Sequence, residues 1–398
     1  MLSNARYGFP TDIRFGPGVA SSLADVVREL GHERPLIITD AGVAALSWYR
    51  PLVQALADAG LEVAEAVHEQ GNPTAAHVDV CVQAFQGHTA DCVVAIGGGA
   101  PVDVAKAAAV MARHAGRLFD YEDVPGARPI NGDLLPPIIA IPTTAGTGSE
   151  VGRSAVISEN DSHVKKIIFH PKLLPVVVLA DPELHLGLPP KVTAATGVDA
   201  LTHLVEAFLA KGDNPLCDGL ALEGVYLVSQ HLAEAVSCAR EVMLSGVEAL
   251  DEATRARHVL ARGRMLQASM MGAIAFQKGL GLNHSCAHAL STVRDLHHGL
   301  ANALMLPQCM AYNAVAVPEA FERLAVAARC KEASAAGFLA WIDQLLEDVG
   351  ISVGLGNHGV EAGDIPALVT ASLADVCHPL GPRAVDADGF TALFQGAL

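Results

Sequence analysis

Short runs of apolar, mostly β-branched residues alternate with helix-length segments through the first half of the chain. Most of these runs are apolar at consecutive positions, as in strands of a parallel sheet that is covered on both faces. The predicted strands are residues 35–39, 61–67, 91–96, 137–141 and 175–180, and the predicted helices between them are residues 20–30, 47–59, 75–86 and 102–114. This alternation predicts a doubly wound α/β domain.

The pattern changes after about residue 185, where helical spacing replaces the short apolar runs. Segments rich in Ala and Leu follow one another, and none of them is typical of a strand. They are residues 191–211, 214–240, 248–276, 285–291, 301–312, 318–330, 334–349 and 365–375. We therefore predict an α/β domain of residues 1–187 and an all-α domain of residues 188–398, divided at Leu188-Pro189-Pro190.

Composition and charge narrow the classes of protein to which the chain can belong. Of its 398 residues, 51% are apolar and 17% are charged, which excludes a disordered chain and suits two domains with large cores. Lys and Arg number 26 against 43 Asp and Glu, giving a net charge of −17 with neutral histidines. Such an excess disfavours nucleic acid as a partner but allows a nucleotide cofactor that is held by local backbone amides.

Several features predict a cytoplasmic protein. No run of about 18 apolar residues is present, so no membrane span is expected. Residues 1–16 contain Arg, Asp and Pro where a signal peptide needs an apolar stretch. The eight cysteines are scattered without a CxxC pair, which favours reduced thiols over a disulfide framework or a thiolate metal site.

Three consecutive glycines stand between a predicted strand and a predicted helix. Gly97, Gly98 and Gly99 permit positive φ and let a phosphate approach the backbone, while the following helix offers free N–H groups to a pyrophosphate. The pattern is not GxGxxG, and an ordinary tight turn between strand and helix would show the same glycines. The glycines alone therefore leave cofactor binding and a plain turn equally open.

Two further turns carry polar groups that suit a nucleotide. Asp40 ends a predicted strand, where a carboxylate can bind an adenosine ribose hydroxyl and repel a 2′-phosphate, so it favours NAD over NADP. The alternative is that Asp40 only caps the next helix. The turn containing Thr143 and Thr144 (TTAGTGSE) offers hydroxyls and amides to a ribose, phosphate or carboxamide, or else caps the next element.

Histidines and one aspartate recur at helical spacing in the second half. Asp199 and His203 are four residues apart, which places a carboxylate and an imidazole on one helix face. His284 and His288 have the same spacing, and His297 and His298 follow. Adjacent residues do not normally aim at one point, so at most one of this last pair is expected to be a ligand. A lone histidine is usually structural, but this set predicts a divalent-metal site, with Fe²⁺ and Zn²⁺ both compatible with nitrogen and oxygen donors.

Five motifs occur in one order: GGGxxxDxxK, PTTxGTGSE, GVDALTHxxEA, GLxHxxAHxL and HHGxxNAxxLP. From about residue 5 to the C-terminus, the chain resembles the iron-dependent (group III) alcohol dehydrogenases, a family that includes lactaldehyde reductase. The resemblance implies an N-terminal dinucleotide-binding domain, a helical C-terminal domain and an active site in the cleft between them. It also implies NAD and Fe²⁺ as cofactors and a homodimer.

The resemblance further implies a role for each matching position. The metal ligands would be Asp199, His203, His284 and His298, and His288 would relay or position a proton near the nicotinamide. The cofactor-binding residues would be Gly97, Gly98, Gly99 and Asp103 at the pyrophosphate, Asp40 at the adenosine ribose, Asn72 in the adenosine-side loop, and Thr143, Thr144 and Lys165 on the nicotinamide side.

Two departures from the family pattern bear on the substrate and the phosphates. Ala100 replaces the usual Ser after the three glycines, which removes one hydroxyl. Gln277 and Lys278 stand where many members have Asn and a small apolar residue. Lys278 could hold the anionic end of a short aldehyde, and the alternative is that it points to solvent or pairs with a nearby carboxylate.

These expectations combine into a metal-dependent alcohol dehydrogenase or aldehyde reductase. It would transfer hydride between NAD(H) and a short-chain primary alcohol/aldehyde pair. The alternatives are a related enzyme that also pairs NAD with a metal (a glycerol dehydrogenase or a dehydroquinate synthase-like lyase) and a non-catalytic sensor of NAD or metal. The Asp199-plus-three-histidine set and the GTGSE motif favour the alcohol dehydrogenases, and a sensor would not need four ligands together with His288.

Overall fold

The computed structural model describes residues 11–160 and 164–398, and these form two compact units. The sheet unit comprises residues 11–144 and 149–185, and the helical unit comprises residues 145–148 and 186–398. The division after residue 185 lies two positions before the predicted domain boundary. The predictions for residues 1–10, including the lack of a signal peptide, lie outside the described residues.

A six-stranded parallel sheet forms the centre of the sheet unit, with the strand order β1-β8-β5-β4-β2-β3. Its strands are β1 (Asp12–Phe15), β2 (Pro35–Asp40), β3 (Ala64–His68), β4 (Cys92–Gly97), β5 (Ile138–Pro142) and β8 (Val177–Ala180). The five predicted strands are confirmed. Edge strand β1 was not predicted, because it is four residues long and contains Asp12 and Arg14.

Helices cover both faces of the sheet, which confirms the doubly wound α/β architecture. They are α1 (Leu23–Glu29), α2 (Ala41–Ala44), α3 (Tyr49–Asp58), α4 (Ala75–His88) and α5 (Gly99–Met111). On β2, Leu36 and Ile38 join the core beneath α4 and α5, while Ile37 joins the core beneath α1 and α3. Successive side chains of a strand point to opposite faces, so both faces need apolar residues.

An antiparallel hairpin lies between β5 and β8 in the chain and was not predicted from the sequence. It consists of β6 (Ser154–Ser158) and β7 (Lys165–Phe169), with Ser154 opposite Phe169 and Ser158 opposite Lys165. Strand β7 begins with two lysines, so its sequence (KKIIF) lacks the continuous apolar character of the buried strands.

The helical unit contains nine α-helices and no strand among its described residues, as predicted. They are α6 (Pro190–Leu209), α7 (Pro215–Ser245), α8 (Glu252–Ala275), α9 (Leu282–Arg294), α10 (His298–Ala314), α11 (Pro318–Ala327), α12 (Ala335–Val349), α13 (Ile365–Ala374) and α14 (Ala387–Ala397). Helix α14 was not predicted, and α10 begins three residues earlier than expected. In the described part of the chain, no helix combines the length and apolarity needed to cross a bilayer.

Glycines bring α6 and α7 into close contact. A Cβ atom on Gly197 would lie 2.1 Å from Leu232, and one on Gly224 would lie 2.2 Å from Leu204. Seventeen residues of α6 are buried, because helices pack against it on several sides. This burial holds α6 firmly, and α6 carries Asp199 and His203.

Candidate metal centre and nucleotide-binding turn

Four side chains from three helices of the helical unit meet at one point. Asp199 and His203 lie one turn apart on α6, His284 lies in the first turn of α9, and His298 is the first residue of α10. One possible ligand atom from each lies within 4.8 Å of the others. The structure thus brings together the four predicted ligands. His297, the N-cap of α10, is not a member of the group.

Glu206 holds His284 in place from behind. His284 Nδ1 donates to Glu206 Oε2 at 2.6 Å, and the same carboxylate accepts bonds from the backbone amides of Gly281, Asn283 and His284. Because an ionised carboxylate only accepts hydrogen bonds, Nδ1 carries the proton and the lone pair of His284 is on Nε2. Glu206 therefore fixes the tautomer that can bind a metal.

Asn302 provides the structural test of whether a cation fits this centre. Its amide nitrogen donates to Asp199 Oδ1 at 2.6 Å and lies 3.4 Å from Nε2 of His284 and 3.3 Å from Nε2 of His298. Three ligand atoms thus converge on one nitrogen that has only two hydrogens to give. A point at which the lone pairs of the ligand atoms outnumber the hydrogens available to them is suited to a divalent cation.

His203 completes the donor set as a neutral imidazole. Burial lowers the pKa of His203 to about 4, although Asp199 acts to raise it. The ring lies 4.6 Å from that of His284 and 5.3 Å from that of Phe276. Three histidines and one carboxylate, with no thiolate among them, are a donor set that suits a first-row divalent ion.

His288 lies beside the ligand group without belonging to it. Its ring stacks on that of His298 with centroids 5.3 Å apart, and its Nδ1 lies 2.7 Å from Asp375 Oδ2. Burial of Asp375 acts to raise the pKa of its carboxyl, but bonds from His288, Ser285 and the Cys377 amide outweigh burial and hold that pKa below its usual value. Asp375 is therefore a carboxylate.

Lys278 is engaged in a buried contact of its own. Its ammonium donates to Asp218 at 2.6 Å and to the Phe208 carbonyl at 2.9 Å, and its side chain is only 6% exposed. This is the pairing with a nearby carboxylate that the sequence analysis gave as the alternative. An ammonium held in this way has little capacity left for a substrate anion.

The three glycines form a tight turn at the end of β4 in the sheet unit. Gly97 has a φ of +154°, and a Cβ atom there would lie 2.5 Å from Pro101. A Cβ atom on Gly98 would lie 3.0 Å from the hydroxyl of Thr144, and the amide of Thr143 donates to the Gly97 carbonyl. Helix α5 begins at Gly99, so its first N–H groups are available at the turn.

Asp103 and Lys106, the last residue of the GGGxxxDxxK motif, hold this region from within. Asp103 accepts bonds from the Ser149 hydroxyl at 2.5 Å and the Val156 amide at 3.1 Å. The ammonium of Lys106 is fully buried and donates to the Ser149 carbonyl and hydroxyl and to the Ser154 carbonyl. Asp103 thus connects α5 to the hairpin and to the segment that follows the TTAGTG turn.

The remaining predicted cofactor residues lie in other segments of the same unit. Asp40 ends β2 and caps α2, since its Oδ1 accepts a bond from the Val43 amide at 2.9 Å. This contact is the capping alternative, and it occupies one of the two carboxylate oxygens. Asn72 is half-buried in the segment between β3 and α4, and Lys165 is the first residue of β7.

A buried centre for a divalent ion and a parallel sheet with a glycine turn are the two parts expected of a metal-dependent dehydrogenase. Residues 10–182 match the family model described as iron-containing alcohol dehydrogenase, and residues 193–398 match the model of the C-terminal part of that family. The chain belongs to the iron-containing alcohol dehydrogenase family.

Relatives match the chain along nearly its whole length. A 4-hydroxybutyrate dehydrogenase of Cupriavidus necator is 35% identical over 98% of each chain. An NAD-dependent methanol dehydrogenase of Bacillus methanolicus is 32% identical over 96% of this chain and 97% of its own. A crystal structure of 1,3-propanediol oxidoreductase superposes with a TM-score of 0.88 at 32% identity over 99% of each chain. The chain is thus an oxidoreductase that acts on the CH–OH group of alcohols or on the corresponding aldehydes.

Proposed function

We propose that the protein uses Fe²⁺ and NAD(H) to interconvert a short-chain primary alcohol and its aldehyde. The observation that carries this proposal is the meeting of Asp199, His203, His284 and His298 around one point. The description of the family names iron, and the name of one relative includes its dependence on NAD. The donor set also accepts Zn²⁺ or another first-row divalent ion.

The residues of the metal centre have distinct tasks. A divalent ion bound there supplies a Lewis acid that polarises the oxygen of the alcohol or aldehyde. Asp199 and the three histidines would hold the ion, and Asp199 would provide the single negative charge among them. Glu206 would keep the lone pair of His284 on Nε2, and Asn302 would orient the Asp199 carboxylate.

The sheet unit is proposed to bind the nucleotide. The pyrophosphate would approach Gly97, Gly98 and Gly99, where no side chain covers the backbone and the first turn of α5 offers N–H groups. Asp103 would act indirectly here, because its carboxylate is used to hold Ser149 and Val156.

The outer parts of the nucleotide would be met by the other predicted residues. Asp40 would bind the adenosine ribose with the carboxylate oxygen that does not cap α2, and it would disfavour the 2′-phosphate of NADP. Asn72 would border the adenosine, and Thr143, Thr144 and Lys165 would border the nicotinamide, which exchanges hydride with the substrate carbon.

His288 is proposed to handle the alcohol proton. Its Nδ1 faces a carboxylate, so the proton-accepting nitrogen is Nε2. During alcohol oxidation Nε2 would accept the proton that leaves the substrate hydroxyl, and during aldehyde reduction it would return that proton.

The substrate is proposed to be a small primary alcohol, or the corresponding aldehyde, that carries no charge. The relatives are named for methanol, 1,3-propanediol and 4-hydroxybutyrate, which share a primary alcohol and differ in charge at the other end. Lys278 gives no support for selection of an anion, because Asp218 already neutralises it. A homodimer belongs to this proposal as an implication of the family, and a cytoplasmic location belongs to it because of the scattered cysteines and the lack of a long apolar run.

An anaerobic assay with Fe²⁺-loaded protein tests the proposal. We expect NADH oxidation with short neutral aldehydes and weaker activity with NADPH. His284→Ala should lose tight metal binding and activity, whereas the matched variant His297→Ala should keep both. An inactive wild-type protein with a full complement of metal would refute the proposed reaction. Loss of metal from the His297 variant alone would refute the proposed ligand set.

A further inference from the structure

A chain of hydrogen bonds connects His288 to the segment that follows α13. Asp375, the C-cap of α13, lies with one carboxylate oxygen 2.7 Å from His288 Nδ1. Its other oxygen accepts bonds from the Ser285 hydroxyl at 2.6 Å and the Cys377 amide at 2.9 Å. The side chains of His288 and Asp375 are 22% and 15% exposed, so water competes little for this contact.

The carboxylate itself is held from two sides. Ser285 and His288 lie three residues apart on α9, and both contact Asp375. The Ser285 hydroxyl in turn accepts a bond from the His378 amide at 2.9 Å, so the segment after α13 is fixed against α9. A carboxylate fixed in this way presents one oxygen to one nitrogen of His288.

This contact determines what His288 can do. An ionised carboxylate is only an acceptor, so Nδ1 must carry the hydrogen, and the ring cannot flip without losing that bond. The ring plane is also set by His298, on which it stacks at an angle of 19°. His288 therefore has one tautomer and one orientation beside the ligand group.

We propose that Asp375 is a positioning residue, which holds His288 as the Nδ1–H tautomer with Nε2 ready to exchange the alcohol proton. This inference rests on the proposed function, in which His288 handles that proton. Ser285 supports Asp375 and has no separate role in the reaction. The arrangement resembles the carboxylates that orient histidines in other active sites, where loss of the carboxylate leaves the wrong tautomer.

A second carboxylate provides a matched control. Asp364 stands just before α13 and accepts bonds from Arg294, the last residue of α9. It joins the same two helices as Asp375 does, but it has no bond to His288. Asp364→Asn therefore removes a contact between α9 and α13 without changing the environment of the histidine.

The test compares Asp375→Asn, Asp364→Asn, His288→Gln and the double variant Asp375→Asn/His288→Gln. With metal content verified, we expect Asp375→Asn to lower kcat by about 10- to 100-fold with a small change in KM. Asp364→Asn should stay within about twofold of the wild type. The double variant should lose no more than His288→Gln alone, because Asp375 acts through His288. Equal losses in the two Asp variants, or multiplied losses in the double variant, would overturn the proposal.

A spectroscopic readout separates this inference from the proposed function. In the Zn²⁺-loaded protein labelled with ¹⁵N-histidine, His288 should show a protonated Nδ1, and Asp375→Asn should change that signal while Asp364→Asn should not. An unchanged tautomer in Asp375→Asn would overturn the positioning role. If the wild type shows the tautomer but no dehydrogenase activity, the proposed function fails and the contact stands.

Should Asp375→Asn not fold, Ser285→Ala provides a second test. This variant is expected to lower kcat in the same direction, and only when His288 is present. An unchanged kcat would refute the positioning role of Asp375.

Discussion

Glu206 accepts four hydrogen bonds, three from backbone amides at the start of α9 and one from His284. Glu206→Gln places an amide NH₂ group among these donors and weakens their hold on the ligand. We expect the affinity for Zn²⁺ or Co²⁺ to fall by about 10- to 100-fold, as is usual for groups directly behind a ligand. Competition with a chromophoric chelator measures this.

The control for that experiment is Glu223→Gln on the exposed side of α7. It removes the same charge from the helical unit at a distance from the ligands. Equal losses of affinity in the two variants would show that net charge, and not the bond to His284, sets metal affinity.

The buried carboxyl group of Glu150 is expected to make the stability of the sheet unit depend on pH. Burial raises the pKa of its carboxyl to about 7 even though Lys106 acts to lower it, and Oε1 has no hydrogen-bond partner among the described residues. Between about pH 4.5 and pH 7 the native state keeps a proton that the unfolded chain releases, so stability falls as the pH rises through this range. Glu150→Gln removes this loss.

As the pH rises from 5 to 8, we expect the free energy of unfolding of Glu150→Gln to increase by about 1–3 kcal/mol relative to that of the wild type. The gain is reduced by whatever support the carboxylate gives to Lys106 at high pH. Denaturant unfolding of metal-free protein at the two pH values measures it, with the exposed Glu33→Gln as the control. A difference between variant and wild type that does not change with pH would contradict the assignment.

On the scale of elements, Gly299 sets the distance between α10 and α6. A Cβ atom there would lie 2.6 Å from the backbone oxygen of Ala195 and 3.3 Å from the Cβ atom of Asp199. Backbone atoms of a packed helix cannot yield as the end of a long side chain can. Gly299→Ala must therefore displace the start of α10 and move His298 away from Asp199.

We expect Gly299→Ala to lose at least about tenfold in metal affinity and about 1–3 kcal/mol in stability. Gly219→Ala on α7 is the matched control, because a Cβ atom there meets nothing within 4 Å. That change should be neutral or stabilising by up to about 1 kcal/mol, since Ala favours a helix over Gly. Unaltered metal binding in the Gly299 variant would show that α10 can shift without cost to the centre.

The elements that sequence alone predicted are those with a strong local pattern. Strands β2, β4, β5 and β8 are buried, mainly apolar runs, and most of the long helices have helical periodicity. The spacing of Asp199 with His203 likewise indicates a shared helix face. Strands β1 and β7 carry charged residues at alternate or leading positions, and no local signal distinguishes them from loops. Asp375 lies 87 residues after His288, so only tertiary packing could reveal their contact.

On the scale of the molecule, the proposed metal binding and the proposed nucleotide binding fall on different units. All four proposed ligands come from the helical unit, on α6, α9 and α10, and the glycine turn with Lys106 belongs to the sheet unit. His284 and Asp199 lie 85 residues apart in the chain, so an ion bound between them links distant segments. Such binding should stabilise the helical unit in particular, because the unfolded chain offers no preformed site.

Metal binding is therefore expected to raise the melting temperature. A ligand at 100 times its Kd adds about 2.7 kcal/mol, which for a unit of about 200 residues corresponds to a rise of roughly 5–10 °C. Scanning calorimetry of chelator-treated protein, with and without added Zn²⁺, measures the shift. His284→Ala should show almost none of it, and His297→Ala should show all of it. A full shift in the His284 variant would mean that the stabilising ion binds elsewhere in the chain.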